Sequence, residues 1–331
     1  MLLKIFRGTG PGVVVLIFLA AILVWLNAFL GQHDPQPFHY DINPMPLYGL
    51  LKDFVIKSAL AGTIASFVMV LLMAFMLVSF NTTEFFINER TFLPSIVYIL
   101  LTGVFPSCQE LNPVLPAALL LMIAMRRIMD AYRKNGTAYN FFDASLLIGI
   151  GSLIYANLIW FGILTIIGIA LLRTGNVKEI LLAILGLITP PAITAGIYYV
   201  TGRDMMNLVN IARENLFGEA GSYYFSRVTV SGLVVIGLIT MISIFYLLTV
   251  MNGKKIKSRK TFSLLIWSFL ISVVVYFVIA GVSVEMIYIS AIPLSYFLTH
   301  YFVFIKKKIV PEIFFTALII IIGVIQVLYA L

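Results

Sequence analysis

Apolar runs of about 15 to 25 residues alternate with polar breaks along the whole chain, most of them long enough to cross a hydrocarbon core of roughly 30 Å as a helix. They lie near 12–30, 58–80, 92–107, 113–127, 143–157, 158–172, 179–200, 227–250, 262–282, 284–305 and 312–330. None shows the alternation of apolar and polar positions that marks a barrel strand, so backbone pairing in lipid has to come from helices. The pattern predicts an all-α, polytopic membrane helical bundle of about 11 transmembrane helices, forming a single transmembrane domain over 1–331. The first run follows Lys4 and Arg7 as a secretory signal would, but it lacks a small-residue cleavage site and is read as a retained helix.

Composition agrees: 61% of the 331 residues are hydrophobic and 11% charged, with mean hydropathy +1.06. The stretch 144–172 carries no charge and reads either as one long tilted helix or as two short ones. Charge decides between them. With two helices, Lys4 and Arg7, Arg90, Arg126 to Lys134, Arg173 and Lys178, the cluster 254–260 and the cluster 306–308 all fall on one side. Of the 22 Lys and Arg residues only Lys52, Lys57, Arg203, Arg213 and Arg227 fall on the other. Basic residues mark cytoplasmic loops, so the N-terminus is expected in the cytoplasm and the C-terminus outside. The net charge of +8 is thus a topology signal and not a nucleic-acid footprint.

Two outer segments are too long to be turns. The first, 31–57, carries four prolines before an amphipathic stretch around 47–56; the second, 201–226, sets Met205, Leu208, Val209, Ala212 and Leu216 on one helical face. Both are expected to hold helices lying at the outer interface. His33, Asp34, His39 and Asp41 fall within nine residues of the first segment. A carboxylate there can act as a general base, and the set can also serve as a solvated, helix-capping loop or as metal ligands; no metal site is assigned. Arg203, Arg213 and Arg227 lie at the outer interface, where a guanidinium holds phosphate oxygens bidentately, either of ordinary phospholipid or of a dedicated lipid phosphate. Elsewhere the bland reading leads: Glu89 and Arg90 as a loop clamp, Asp143 and Glu285 as helix caps, His300 as an interfacial histidine. Glu110 or Glu285 can also complete an outer acidic pocket.

The chain has no P-loop, dinucleotide fingerprint, zinc-protease pair or nucleophile elbow, which argues against ATPases, nucleotide-dependent oxidoreductases and α/β hydrolases; no cofactor is expected. One cysteine, Cys108, excludes an internal disulfide framework. Ionisable residues in mid-span, the mark of an ion route, are nearly absent.

The residues INER at 87–90, Asn112 with Pro113, Arg126 with Arg127, and FDAS at 142–145 resemble an uncharacterised family of bacterial inner-membrane proteins known only as a domain of unknown function. That resemblance covers most of the chain and implies topology and a place in the bacterial inner membrane. More distantly, the chain is similar to the multispanning GT-C glycosyltransferases, in an N-in first helix, a first outer loop with acids, juxtamembrane helices and a glycine-containing span, LLIGIGSLIYANL. The likeness implies sugar transfer from a polyprenyl-phosphate-linked donor, with Asp34 or Asp41 as catalytic acid position and Arg203 or Arg213 on donor phosphate. The first loop is shorter here and lacks an adjacent acidic pair. Three function classes stay open: a GT-C-like glycosyltransferase on the extracytoplasmic face; a non-catalytic membrane subunit of an envelope assembly or secretion complex, with an envelope protein as partner; and a lipid or small-solute transporter. Membrane lipids are partners in all three.

Overall fold

The computed structural model describes residues 2–31, 43–55, 58–132, 138–172, 177–219, 225–307 and 309–330. Every regular element among the described residues is a helix. In chain order the α-helices are α1 (Leu2–Phe6), α2 (Pro11–Val24), α3 (Leu26–Leu30), α4 (Pro46–Val55), α5 (Ala59–Glu84), α6 (Leu93–Thr102), α7 (Val114–Asp130), α8 (Ala138–Ser152), α9 (Gly162–Leu172), α10 (Val177–Val200), α11 (Met205–Phe217), α12 (Arg227–Val250), α13 (Ile256–Val278), α14 (Ile287–Phe304) and α15 (Ile309–Ala330). Six described stretches are long and apolar enough to cross a membrane: Leu60–Glu84, Val177–Val200, Arg227–Gly253, Ile256–Val278, Val284–Phe304 and Ile309–Ala330. Pro11–Val24, Leu93–Thr102 and Ala156–Leu172 are apolar but shorter.

The helices differ sharply in what surrounds them. All ten residues of α6 are buried, and 83% of the most apolar window of Val284–Phe304 is buried, against 17% for Val177–Val200. On α10, Leu181, Leu185, Ile188, Ile193 and Ile197 point outward. Such a surface is unfavourable in water and natural in lipid, so these helices form the rim of a membrane-embedded bundle, with α6 and α14 at its centre. Phenol groups tie that centre together: the Tyr98 hydroxyl donates to the Tyr288 carbonyl at 3.1 Å, and that of Tyr296 to the Leu77 carbonyl at 2.7 Å.

Contacts sort the helix ends into two sets. At one end, rich in Lys and Arg, the Leu3 amide donates to Glu312 at 3.3 Å, Arg7 pairs with Glu89 at 2.7 Å, and Lys257 pairs with the buried Glu84 at 3.0 Å. There the Lys254 ammonium lies 4.6 Å from the centre of the Phe304 ring, and burial lowers its pKa. At the other end, the loop end, the segments 43–48, 103–113, 153–157, 214–218 and 281–288 meet. The INER motif belongs to the basic end and is structural. After α5 ends at Phe85 in a left-handed conformation, the Asn81 side chain accepts from the Ile87 amide at 3.2 Å and donates to the Glu89 carbonyl at 3.0 Å. Asn88 also takes a positive φ of 58°, which asparagine tolerates better than most residues. Phe86 is thereby driven inward against Phe80, Phe262 and Tyr296.

Several expected runs are broken or moved. The first helix stops at Trp25 and resumes as α3; the freed Val24 carbonyl is taken by the Gln109 amide at 3.1 Å. The run 92–107 is helical only to Thr102 before a turn and a short 3-10 piece, Pro106–Cys108. The uncharged run 144–172 breaks after Ser152 into a turn, a 3-10 stretch (Ala156–Phe161) and α9. The Ser145 and Thr165 hydroxyls, 2.9 Å apart, bridge α8 and α9. The basic cluster 254–260 lies largely inside α13, because Lys and Arg are good helix formers whose stems cover apolar surface. Asp143 sits in the second turn of α8, which begins at Ala138, and so does not cap it.

A tight backbone-to-backbone contact joins α8 and α10. A Cβ on Gly186 would come within 2.4 Å of the Phe142 carbonyl oxygen, and one on Gly149 within 2.7 Å of that of Leu187. Positions 142 and 149 thus meet 186 and 187 in the same order, so the two helices run parallel, at a separation only glycine permits. Gly186→Leu should lower stability by about 1–3 kcal/mol or more through overpacking. Gly196→Leu on the same helix, where a Cβ meets nothing within 4 Å, should change it little. Thermal unfolding of the two variants in one detergent reads the difference.

Candidate functional site

The loop end concentrates the buried polar groups that its apolar surroundings least tolerate. Its centre is Asn215 in the last turn of α11, 1% exposed. The Asn215 side chain accepts from the Asn43 amide at 3.1 Å and donates to the Asn43 carbonyl at 2.6 Å. The Asn43 side chain in turn donates to Glu214 at 2.6 Å, and Asn157, fully buried, donates to the Asn215 carbonyl at 3.1 Å. A Cβ on Gly281 would lie 2.9 Å from that carbonyl oxygen, so glycine lets the turn after α13 close against α11. Three distant parts of the chain are thereby held on one helix end.

Behind this knot Glu285 starts the central helix. It is fully buried; one oxygen accepts from the Ser283 amide at 3.0 Å and faces the Tyr155 hydroxyl at 3.5 Å, while the other has no hydrogen-bond partner. The first contact reaches back to the backbone ahead of the short 3-10 turn Val284–Met286, and the second oxygen is a buried polar atom able to take a proton or a donor. Beside it the Tyr288 hydroxyl donates to the Cys108 carbonyl at 2.8 Å, and Asn112 donates to the same carbonyl at 3.2 Å while accepting from the Leu115 amide at 3.0 Å. Tyr48 reaches the Leu111 carbonyl at 2.9 Å, docking α4 onto this turn.

Of the residues singled out from sequence, Asp34 and Asp41 lie outside the described residues, as do His33 and His39. Arg203, Arg213 and Arg227 are all exposed. The Arg203 guanidinium lies 5.7 Å from the centre of the Tyr198 ring; Arg213 stands beside Glu214 on α11; Arg227 opens α12. No contact joins the three to one another among the described residues. His300 is fully buried among Tyr246, Phe262 and Phe304 at the basic end, not at the interface. Among the described residues no group of three or more His, Cys, Asp or Glu is placed to hold a metal ion.

Asn43, Asn157 and Asn215 went unmarked in the sequence. Their signal was an amide amid apolar neighbours, as in YANLIW, which needs a partner when buried but does not say which.

A family described as a family of unknown function (DUF6427) matches residues 47–330. The chain belongs to that family. The part of it that the DUF6427 match covers includes Glu214, Asn215, Glu285 and the three arginines; Asp34, Asp41 and Asn43 precede it. Comparison with curated proteins and with solved structures found no match, and nothing in these comparisons supports the likeness to GT-C enzymes.

Replacing Asn215 by Leu removes both side-chain bonds to Asn43 and should cost about 1–3 kcal/mol, most of it from leaving buried backbone groups unpaired. Limited proteolysis of the 31–57 segment should accelerate in that variant; Asn215→Asp, which keeps the acceptor but sets a buried charge against the Asn43 carbonyl, should accelerate it as well.

Proposed function

We propose that this DUF6427 member crosses the bacterial cytoplasmic membrane about eleven times, with its N-terminus inside and its C-terminus outside, and works at its loop end on a lipid-linked anionic substrate. The reaction that fits best is GT-C-like transfer of a sugar from a polyprenyl-phosphate donor. Supporting the orientation, Lys4, Arg7, Lys254, Lys257 and Lys306 share the basic end, while the loop end carries few cations.

One observation carries the functional reading: Asn43 is bound to Glu214 and Asn215, so the two long polar segments meet. Asp41 precedes Asn43 by two residues, and Arg213 precedes Glu214 by one. A carboxylate and a guanidinium are the two groups such a transfer needs. The carboxylate takes the proton of the acceptor hydroxyl as its oxygen bonds to the sugar carbon. The bond from that carbon to the donor phosphate oxygen breaks, its electron pair leaves with the phosphate, and Arg213 or Arg203 neutralises the charge.

A second reading, a non-catalytic subunit of an envelope assembly, draws on exposed apolar residues at the same end: Leu50 and Phe54 on α4, Met206 and Phe217 on α11. A partner protein can cover these as lipid can.

The orientation is tested by a membrane-impermeant maleimide in intact cells, since the native Cys108 is buried. Glu219→Cys should label directly and Lys306→Cys only after permeabilisation; the opposite order overturns the topology. For the chemistry, Asp41→Asn and Arg213→Gln should each lower transfer from a polyprenyl-phosphate sugar by about 100-fold or more while the protein stays folded. Full activity in an Asp34→Asn, Asp41→Asn double variant would end the enzyme reading, and loss of a co-purifying protein on altering 201–226 would favour the second.

A further inference from the structure

Away from the loop-end knot, α2 and α15 diverge over the buried α6 and leave a groove of about 590 Å³. Val24 of α2, Ile96 and Leu100 of α6, and Ile322 and Gly323 of α15 line it. Leu2 and Phe6 of α1 also line it, and α1 is held against α15 by the Leu3 to Glu312 hydrogen bond and by the rings of Phe6 and Phe315, 5.7 Å apart. α1 therefore closes the groove on the side toward the basic end.

Its other end differs. Asn27 and Gln326 line the wall there, joined by a hydrogen bond from the Asn27 amide to the Gln326 side-chain oxygen at 3.2 Å, while Gln326 donates to the Gly103 carbonyl at 2.8 Å. The wall residues of α15 run from Ile319 to Ala330, about 17 Å of helix at 1.5 Å per residue, close to half of a roughly 30 Å hydrocarbon core. Leu23, Leu26 and Val327 belong both to the groove and to the exposed apolar surface, at 67%, 42% and 61% exposure. The groove is thus continuous with the surface that the bundle presents to lipid, one leaflet deep, apolar along its length and polar only at the loop end.

We propose that this groove seats one acyl chain of a phospholipid from the leaflet at the loop end, with the glycerol and ester region against the carboxamides of Asn27 and Gln326. The α15 wall is about as long as a single leaflet is thick, the volume lies within the range of small-molecule sites, and α1 closes the groove on the side away from the two carboxamides. The lipid fills a gap between helices that do not otherwise close, and so belongs to the fold. This assignment stands independently of the transfer reaction proposed above.

Gly323 supplies the test. A Cβ there meets nothing within 4 Å, so Gly323→Phe fills the groove without backbone conflict; Gly237→Phe places the same ring at an equally open, exposed glycine of α12, outside the groove. Purified in mild detergent and examined by native mass spectrometry, the parent and Gly237→Phe should retain one phospholipid per chain and Gly323→Phe should lose it. Identical phospholipid retention in all three, or none in the parent, overturns the proposal. A retained mass matching a polyprenyl phosphate instead of a diacyl lipid overturns the choice of ligand. Should Gly323→Phe fail to fold, a photoreactive group at Val327 should cross-link a labelled acyl chain more strongly than one at Leu238 on the lipid-facing side of α12, and equal cross-linking counts against the site.

Discussion

Inside a bilayer no water is at hand to satisfy a backbone group, and this chain ends several helices among buried neighbours. Buried carboxamides resolve the conflict. Gln109 takes the carbonyl left over where α2 stops, Gln326 that of Gly103 just past α6, Asn112 the turn before α7, and Asn81 the loop after α5. At the loop end Asn157 and Asn215 do the same between segments nearly 60 and more than 170 residues apart. An amide suits the task because it donates and accepts at once and carries no charge to desolvate.

The two ends of the bundle are closed by different chemistry. At the basic end, cations meet carboxylates and aromatic faces: Arg7 with Glu89, Lys257 with Glu84, Lys254 over Phe304. There the charges can reach water along their stems. At the loop end neutral amides and phenols dominate among the described residues, and a buried acid, Glu285, lies beneath them. The bundle thus carries a solvated, charged rim on one side and a desolvated, directional network on the other.

The helices could be read from the chain because length and apolarity are local properties, and the break within 144–172 showed only through the charges on either side of it. Which helices face lipid could not be read. A residue such as Leu100 in the core and one such as Leu185 on the rim look alike when both solvents are apolar. The role of INER was half legible: Glu89 invited a partner, but Arg7 lies 82 residues away in the chain. The acids of the first outer loop stood out by composition, whereas the amides that knit the loop end together carried no charge and so no contrast.

The ten residues of α6 reach only about 15 Å, half of a hydrocarbon core, and all ten are buried, with only Ile96 and Leu100 bordering the groove between α2 and α15. During synthesis such a segment gains little by entering the bilayer alone, and its main neighbour, α14, emerges nearly 200 residues later. The phenol bond from Tyr98 to Tyr288 marks that delay. Biogenesis of this bundle is therefore a late, cooperative event, in which the centre is assembled after most of the rim is already in place, and truncation before α14 leaves an early segment without a solvent.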